Sequence, residues 1–292
     1  VEASKSTSDS WESLEGHAIS GVFQLRRYLG GSEHSGVFLA ESARRPSAEI
    51  ALKLIPVIPA LAESQFARWR AAAGLAHPHL LRLYEAGRCQ LHGLHYLYAT
   101  MEYADQNLAQ LLEHRALTED EVREMLVPVL SALGFLHGRK FVQGRLKPSN
   151  FLVVGDQLKL ASDSIRSVNE ARDGIRAVSV YDPPQAVDGS CSTASDVWAL
   201  GVTVFEALMR TAPSGLHDEG SVVLPADFSP AFREFVARCL TRRPQDRPTV
   251  QDLEAWLSGR TAALAPASAR AAEAPVRKAV TPEELLMSKA AA

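Results

Sequence analysis

Gln143-Gly144-Arg145-Leu146-Lys147-Pro148-Ser149-Asn150 stands near the middle of the chain, between a helical pattern and a strand-like one. Upstream, Thr118-x-x-Glu121 forms a capping box that opens a long helix to about His137, with Pro128 as a kink inside it. Downstream, Leu158-Lys159-Leu160 reads as a short strand. The octapeptide is therefore a loop between two regular elements, and it combines two cations, a turn-setting proline and an asparagine. Further islands flank it in order: Leu29-Gly30 to Ala40, Ala51-Leu52-Lys53, His77-Pro78-His79 and Met101-Glu102-Tyr103 before it. Tyr181 to Gln185, Asp196-Val197-Trp198-x-x-Gly201 and Arg247-Pro248 follow it.

The periodicity around these islands changes once. From Phe23 to Met101, short alternating runs (Val37 to Ala40, Ile50 to Ile55, Tyr96 to Met101) predict strands, interrupted by one helix over about Leu61 to Leu75 that ends before His77-Pro78. After Tyr103 the pattern is helical. Asp196 to Arg210 is apolar on nearly every face and predicts a buried central helix; Ser229-Pro230 and Thr249-x-x-Asp252 start two more, the last stopping near Gly259. The fold class expected is α+β, a small sheet lobe with one main helix and a larger, mainly helical lobe. The boundaries predicted are a polar extension over 1–16, a domain over 17–259 (lobes 17–103 and 104–259) and an Ala/Pro-rich tail over 260–292 in which Thr281-Pro282-Glu283-Glu284 could open a short helix.

Composition narrows the class further. The 292 residues are 46% hydrophobic and 22% charged, which suits a globule and excludes collagen, coiled coil and wholesale disorder. Lys plus Arg at 31 against Asp plus Glu at 34 gives a net charge of -3, so no global field favours nucleic acid or an anionic membrane surface. No apolar run is long enough to span a bilayer, and the acidic opening lacks the pattern of a secretory signal. Cys89, Cys191 and Cys239 are odd in number and far apart, which argues against a disulfide framework and fits a reducing cytoplasm. His92-x-x-His95 lacks a third ligand nearby, so a metal there is not expected.

The eight islands in this order resemble a eukaryotic-type Ser/Thr protein kinase domain, over about Phe23 to Leu257. The resemblance implies a bilobal kinase fold with ATP between the lobes. It implies nucleotide contacts from Gly30 in the glycine-rich loop, from Val37, Ala51 and Leu152 around adenine, from Lys53 to the phosphates, and from Met101, Glu102 and Ala104 at the hinge. Asn150 and Asp163 are the candidate magnesium ligands.

Several catalytic parts depart from the family pattern. The loop Gly30-Gly31-Ser32-Glu33-His34-Ser35-Gly36-Val37 keeps one of three glycines and adds a carboxylate where phosphates would lie, which favours a plain hairpin as much as a phosphate clamp. The helix glutamate that pairs with the lysine is replaced by Arg68, so the helix is expected to be turned away or Arg68 to face solvent. Arg145 stands where the catalytic aspartate belongs, and a guanidinium with a pKa above ~12 cannot accept the substrate's proton; Lys147 is retained. The Asp-Phe-Gly segment reads Ser162-Asp163-Ser164, with either Ser162 or, by a one-residue slip, Asp163 in the metal position, so magnesium binding is weakened. The column of four apolar side chains that the family stacks through both lobes reads Ala72, Leu83, Gln143 and Asp163, which cannot be apolar. Gln185 replaces the glutamate that would pair with Arg247, leaving at best a hydrogen bond. Ser164, Ser167 and Ser179, among Arg166, Arg172 and Arg176, are candidates for phosphorylation by a partner kinase.

These departures point to a bacterial-looking pseudokinase, a signalling or scaffold module with a protein partner. The alternatives are an active atypical Ser/Thr kinase and transfer of another part of the nucleotide, such as adenylylation.

Overall fold

The protein is described by a computed structural model covering residues 11–171, 179–185, 190–216, 222 and 224–260, with the side chains of 45–48 also outside the description. Arg172, Arg176 and the tail with Thr281 lie outside the described residues.

Six strands, β1 (Ala18–Ile19), β2 (Phe23–Ser32), β3 (Ser35–Ser42), β4 (Arg45–Pro56), β5 (Leu83–Leu91) and β6 (Leu94–Glu102), form an antiparallel sheet in the order β1-β2-β3-β4-β6-β5. Period-two alternation gives the sheet two apolar faces. Phe38, Ala40, Ile50, Leu52, Leu54, Tyr96 and Tyr98 point outward and are closed over by Trp11 and Leu14. Trp11 and Leu14 fall in the stretch expected to be a polar extension; they are buried, and the Trp11 indole donates to the Ser32 carbonyl at 2.9 Å. Gly36 makes room for that ring, since a Cβ there would meet it at 2.7 Å.

The opposite face carries Val37, Ala51, Leu97, Ala99 and Met101 and packs on α1 (Pro59–Ala73) through Trp69 and Ala72. Register brings the predicted nucleotide residues together here, with Val37 opposite Lys53 and Ala51 opposite Met101.

The helical lobe contains α2 (Leu108–His114), α3 (Glu119–Gly138), α4 (Thr193–Met209), α5 (Pro230–Cys239) and α6 (Val250–Leu257). The capping box at Thr118/Glu121 and the one at Thr249/Asp252 form as the sequence predicts, and Ser229 caps α5. The short strands β7 (Gln106–Asn107), β9 (Phe151–Val154) and β10 (Gln157–Leu160) form a three-stranded sheet, and β8 (Phe141–Val142) pairs with β11 (Arg166–Ser167). One apolar core runs from α1 through the seam to α6. The lobes are also tied by backbone, with Leu81 N donating to Leu160 O and Leu160 N to His79 O, both at 2.9 Å.

Asp196, in the first turn of α4, fixes the central loop. Its carboxylate accepts from Gln143 N at 2.8 Å, Gly144 N at 2.9 Å and His137 Nε2 at 3.0 Å, and it is 1% exposed. Gly144 has φ +78, which few residues with a Cβ adopt, so a glycine suits the turn that aims both amides at one acid. Replacing Asp196 with alanine should leave two inward-facing amides without an acceptor and cost about 2–4 kcal/mol in urea unfolding. A parent-like midpoint for Asp196→Ala would show that the carboxylate is not the brace.

Candidate functional site at the seam of the lobes

Lys53, on the inward face of β4, reaches across the seam and donates to Asp163 Oδ2 at 2.5 Å, both side chains being largely shielded. Ser162, by contrast, is buried and donates to the Leu81 carbonyl at 2.6 Å. Of the two registers open in the sequence, side-chain direction puts Asp163 against the lysine, because Ser162 is spent on the crossing between lobes. Burial works to raise the Asp163 carboxyl, but the charge and hydrogen bond of Lys53, joined by the charge of Arg145, outweigh it and hold the acid below its ordinary range.

Arg68 corrects the sequence expectation. It does not face solvent: it is buried and donates to Glu170 Oε1 at 2.9 Å and to Gln65 at 2.9 Å. The counter-charge comes from 102 residues downstream, where Arg166 also approaches Glu170 at 3.7 Å. Trp69, the next residue, is 1% exposed, and its indole donates to the Asp163 carbonyl at 2.9 Å. Sequence reasoning missed this contact; the signal was a tryptophan beside the displaced glutamate position on the inward face of α1.

Two of the four places in the column that the family keeps apolar carry hydrogen-bonded polar side chains, Gln143 and Asp163. Ala72 and Leu83 are buried apolar residues. Gln143, fully buried, donates through Nε2 to Ala161 O at 3.0 Å and Ser164 Oγ at 2.9 Å, while its Oε1 accepts from Arg145 N at 2.8 Å. Asn150 Nδ2 donates to the Arg145 carbonyl at 2.6 Å, so this candidate magnesium ligand helps to hold the loop. Arg145 and Lys147 line an open cleft of the helical lobe with Tyr181, Pro183, Ser192 and Ser195, and neither Lys53 nor Asp163 belongs to its wall.

The remaining predicted positions divide. Ala51 and Met101 are buried, and Val37, Ala104 and Leu152 pack partly buried against the same core. The Glu102 carboxylate is held by Lys159 at 2.7 Å. Gly30 lies in a hairpin, at φ +131, whose turn is closed by Ser32 opposite Ser35. His92 meets His17 ring to ring, with Nε2 atoms 2.8 Å apart, rather than pairing with His95. Arg247 donates to Gln185 Oε1 at 2.8 Å, the hydrogen bond expected in place of an ion pair. It also donates to three backbone carbonyls, and burial lowers its pKa to about 10, so it stays charged at neutral pH.

A magnesium site is a poor fit to these residues. Magnesium takes near-octahedral oxygen ligands. Here the carboxylate facing the lysine already shares its charge with Lys53 and Arg145, and Ser162 points elsewhere.

An antiparallel sheet with one helix, set over a helical lobe whose central loop is braced by a buried aspartate, is the architecture of a protein kinase domain. The sequence matches the protein kinase domain family over residues 23–256, and the chain belongs to that family. It is similar to the membrane-associated tyrosine- and threonine-specific cdc2-inhibitory kinase wee-1.3 of Caenorhabditis elegans, at 27% identity over 80% of this chain and 36% of that protein. It is similar to the inactive serine/threonine-protein kinase PLK5 of Mus musculus, at 32% identity over 54% of this chain and 29% of that protein. The calcium/calmodulin-dependent protein kinase type 1B of Homo sapiens is 29% identical over 84% of this chain and 77% of its own length. The chain thus spans about a third of the length of the first two relatives.

The Lys53–Asp163 pair sets a pH dependence. An acid whose folded pKa is depressed contributes stability above its unfolded pKa and loses it as pH falls through the lower folded value. Asp163→Asn should therefore cost on the order of 3 kcal/mol at neutral pH by leaving Lys53 without its acid, and should flatten the acid limb of the melting-temperature profile. An acid limb identical to the parent's would mean the pair contributes nothing.

Proposed function

We propose that this chain is a pseudokinase: a kinase-fold module that takes a nucleotide between its lobes and acts through contact with a protein partner rather than through phosphoryl transfer. The observation that carries the reading is Arg145, set at the catalytic-aspartate position on a loop held by Asp196, Gln143 and Asn150. A positioned base contributes about 10²–10⁴-fold to a proton-transfer step, and a guanidinium cannot supply it. The loop is well braced, so a small local shift does not put another acid in that place. The mouse relative described as inactive is in keeping with the reading, and the relatives described as kinases mean that kinship alone does not carry it.

The apolar set Val37, Ala51, Met101 and Leu152 supports ATP as the nucleotide, since it gathers apolar side chains beside Lys53. A second reading, an atypical active Ser/Thr kinase, draws on one observation, that Asp163 rather than Ser162 faces Lys53. In that case Asp163 would have to release the lysine to hold a metal.

Incubation of the purified chain with ATP and magnesium, followed by intact-mass analysis and a labelled-phosphate assay on a generic Ser/Thr substrate, separates the readings. No adduct and no transfer above a Lys53→Ala control is expected. Phosphoryl incorporation lost in Lys53→Ala would overturn the pseudokinase reading, and an adenylyl adduct would replace it with nucleotide transfer.

A further inference from the structure

The stretch from Trp11 to Ile19 lies along the outer edge of β2, from the tip of the β2–β3 hairpin back to its base. Strand β1 pairs with the start of β2, Ala18 opposite Gln24 and Ile19 opposite Phe23. Past that point no strand among the described residues covers the edge, and its outward backbone groups are met in turn by this stretch. Gly16 N donates to Leu25 O at 3.0 Å, and Leu25 N donates to His17 O at 2.9 Å. Tyr28 N donates to Glu15 Oε1 at 2.7 Å, and the Trp11 indole donates to Ser32 O at the tip. Each contact supplies a partner that an open strand edge lacks. A helical turn, with Leu14 N donating to Trp11 O and Glu15 N to Glu12 O, sends Trp11 and Glu15 to the same strand. Successive strand residues point to opposite faces, so Gly36 lies under the Trp11 ring while Val37 lines the inner face expected to meet adenine.

We propose that residues 11–17 are a strap that fixes the hairpin over 30–37, with Trp11 as its positioning residue, and that seating of the strap and binding of a nucleotide under the hairpin favour one another. The coupling rests on the nucleotide-binding reading above; the hold on the hairpin does not. Within the hairpin, the tip has its strand pairing, a contact between Ser32 Oγ and Ser35 Oγ at 3.1 Å, and a turn whose residues Glu33 and His34 are exposed. Gly30, at φ +131, adds no side chain to stiffen it. Trp11 brings an anchor from outside. Its ring is 6% exposed and meets the Tyr96 ring edge-on, with centroids 6.1 Å apart, so the Ser32 carbonyl is tied through the indole to β6. A hairpin already held in place loses less freedom when a ligand settles beneath it, which raises affinity. By linkage, a bound nucleotide holds the strap in return.

Hydrogen exchange of the full chain without nucleotide tests the strap. Trp11→Phe keeps an aromatic ring and removes the indole donor. It should speed exchange of the amides over 30–37 about two- to tenfold, the size of one lost hydrogen bond, and leave the amides of α3 and α4 unchanged. Gly36→Ala, which puts a methyl group against the same ring, should loosen the same amides. The double variant should be little worse than either alone, because both changes break one contact. Unchanged hairpin exchange in both folded variants, or a rise shared equally by the helical lobe, overturns the strap. Isothermal titration with ATP then tests the coupling, with binding to the parent and an affinity about two- to tenfold weaker in Trp11→Phe expected. Equal affinity in a variant whose hairpin has loosened overturns the coupling. Absence of ATP binding by the parent sinks the nucleotide reading and the coupling together, while the exchange result still decides the strap. A phosphoryl adduct sinks the pseudokinase reading and leaves strap and coupling standing.

Discussion

The contact on which this molecule turns is the ion pair between Lys53 and Asp163, because it joins the sheet lobe to the helical lobe at the point where both present charge. Each partner is largely removed from water, so neither charge is tolerable alone. The sheet supplies the lysine by register, opposite Val37 and Ala99. The helical lobe supplies the acid by turning Ser162 away into a backbone contact. Trp69 then covers the Asp163 backbone from α1, which seats the one main helix of the small lobe against the same residue.

Around this pair the protein keeps the structural parts of a kinase domain. Asp196 still gathers the central loop, and Arg247 still anchors the segment carrying Gln185, now through a neutral amide. The altered positions are stabilised locally rather than left as defects. Gln143, polar in a place that packs apolar side chains elsewhere in the family, finds partners for both ends of its amide. Arg68, a cation where the family has an acid, finds Glu170. A buried polar group without partners costs about 1–3 kcal/mol, so these pairings decide whether the substitutions are tolerated. They also redirect the site. The main helix of the small lobe is tied to the segment around Glu170, and Lys53 pairs with Asp163.

Much of the fold was legible in the chain. Alternation from Phe23 to Met101 predicts a sheet, capping boxes at Thr118 and Thr249 predict helix starts, and the structure has them. The identity of Arg145 and Lys147 at the loop, and the loss of acid there, needed no coordinates, since a side chain's acidity and donor set are properties of the residue. The hydrogen bond between Gln185 and Arg247 was legible for the same reason.

Other features depended on which way a side chain turns and on which distant residue comes near it. The choice between Ser162 and Asp163 is such a case, because adjacent residues point to opposite sides and a one-residue shift exchanges their roles. The burial of Arg68 is another, since its partner lies 102 residues away and no local pattern links them. Trp11 belongs to the same group: a lone tryptophan in a polar stretch carries no periodicity, and only the space above Gly36 places it in the core. The sequence by itself determined which charges the seam contains, since covalent identity sets them. Tertiary structure decided which of those charges meet, because pairing is a matter of distance and burial, and both arise only when the two lobes close on one core.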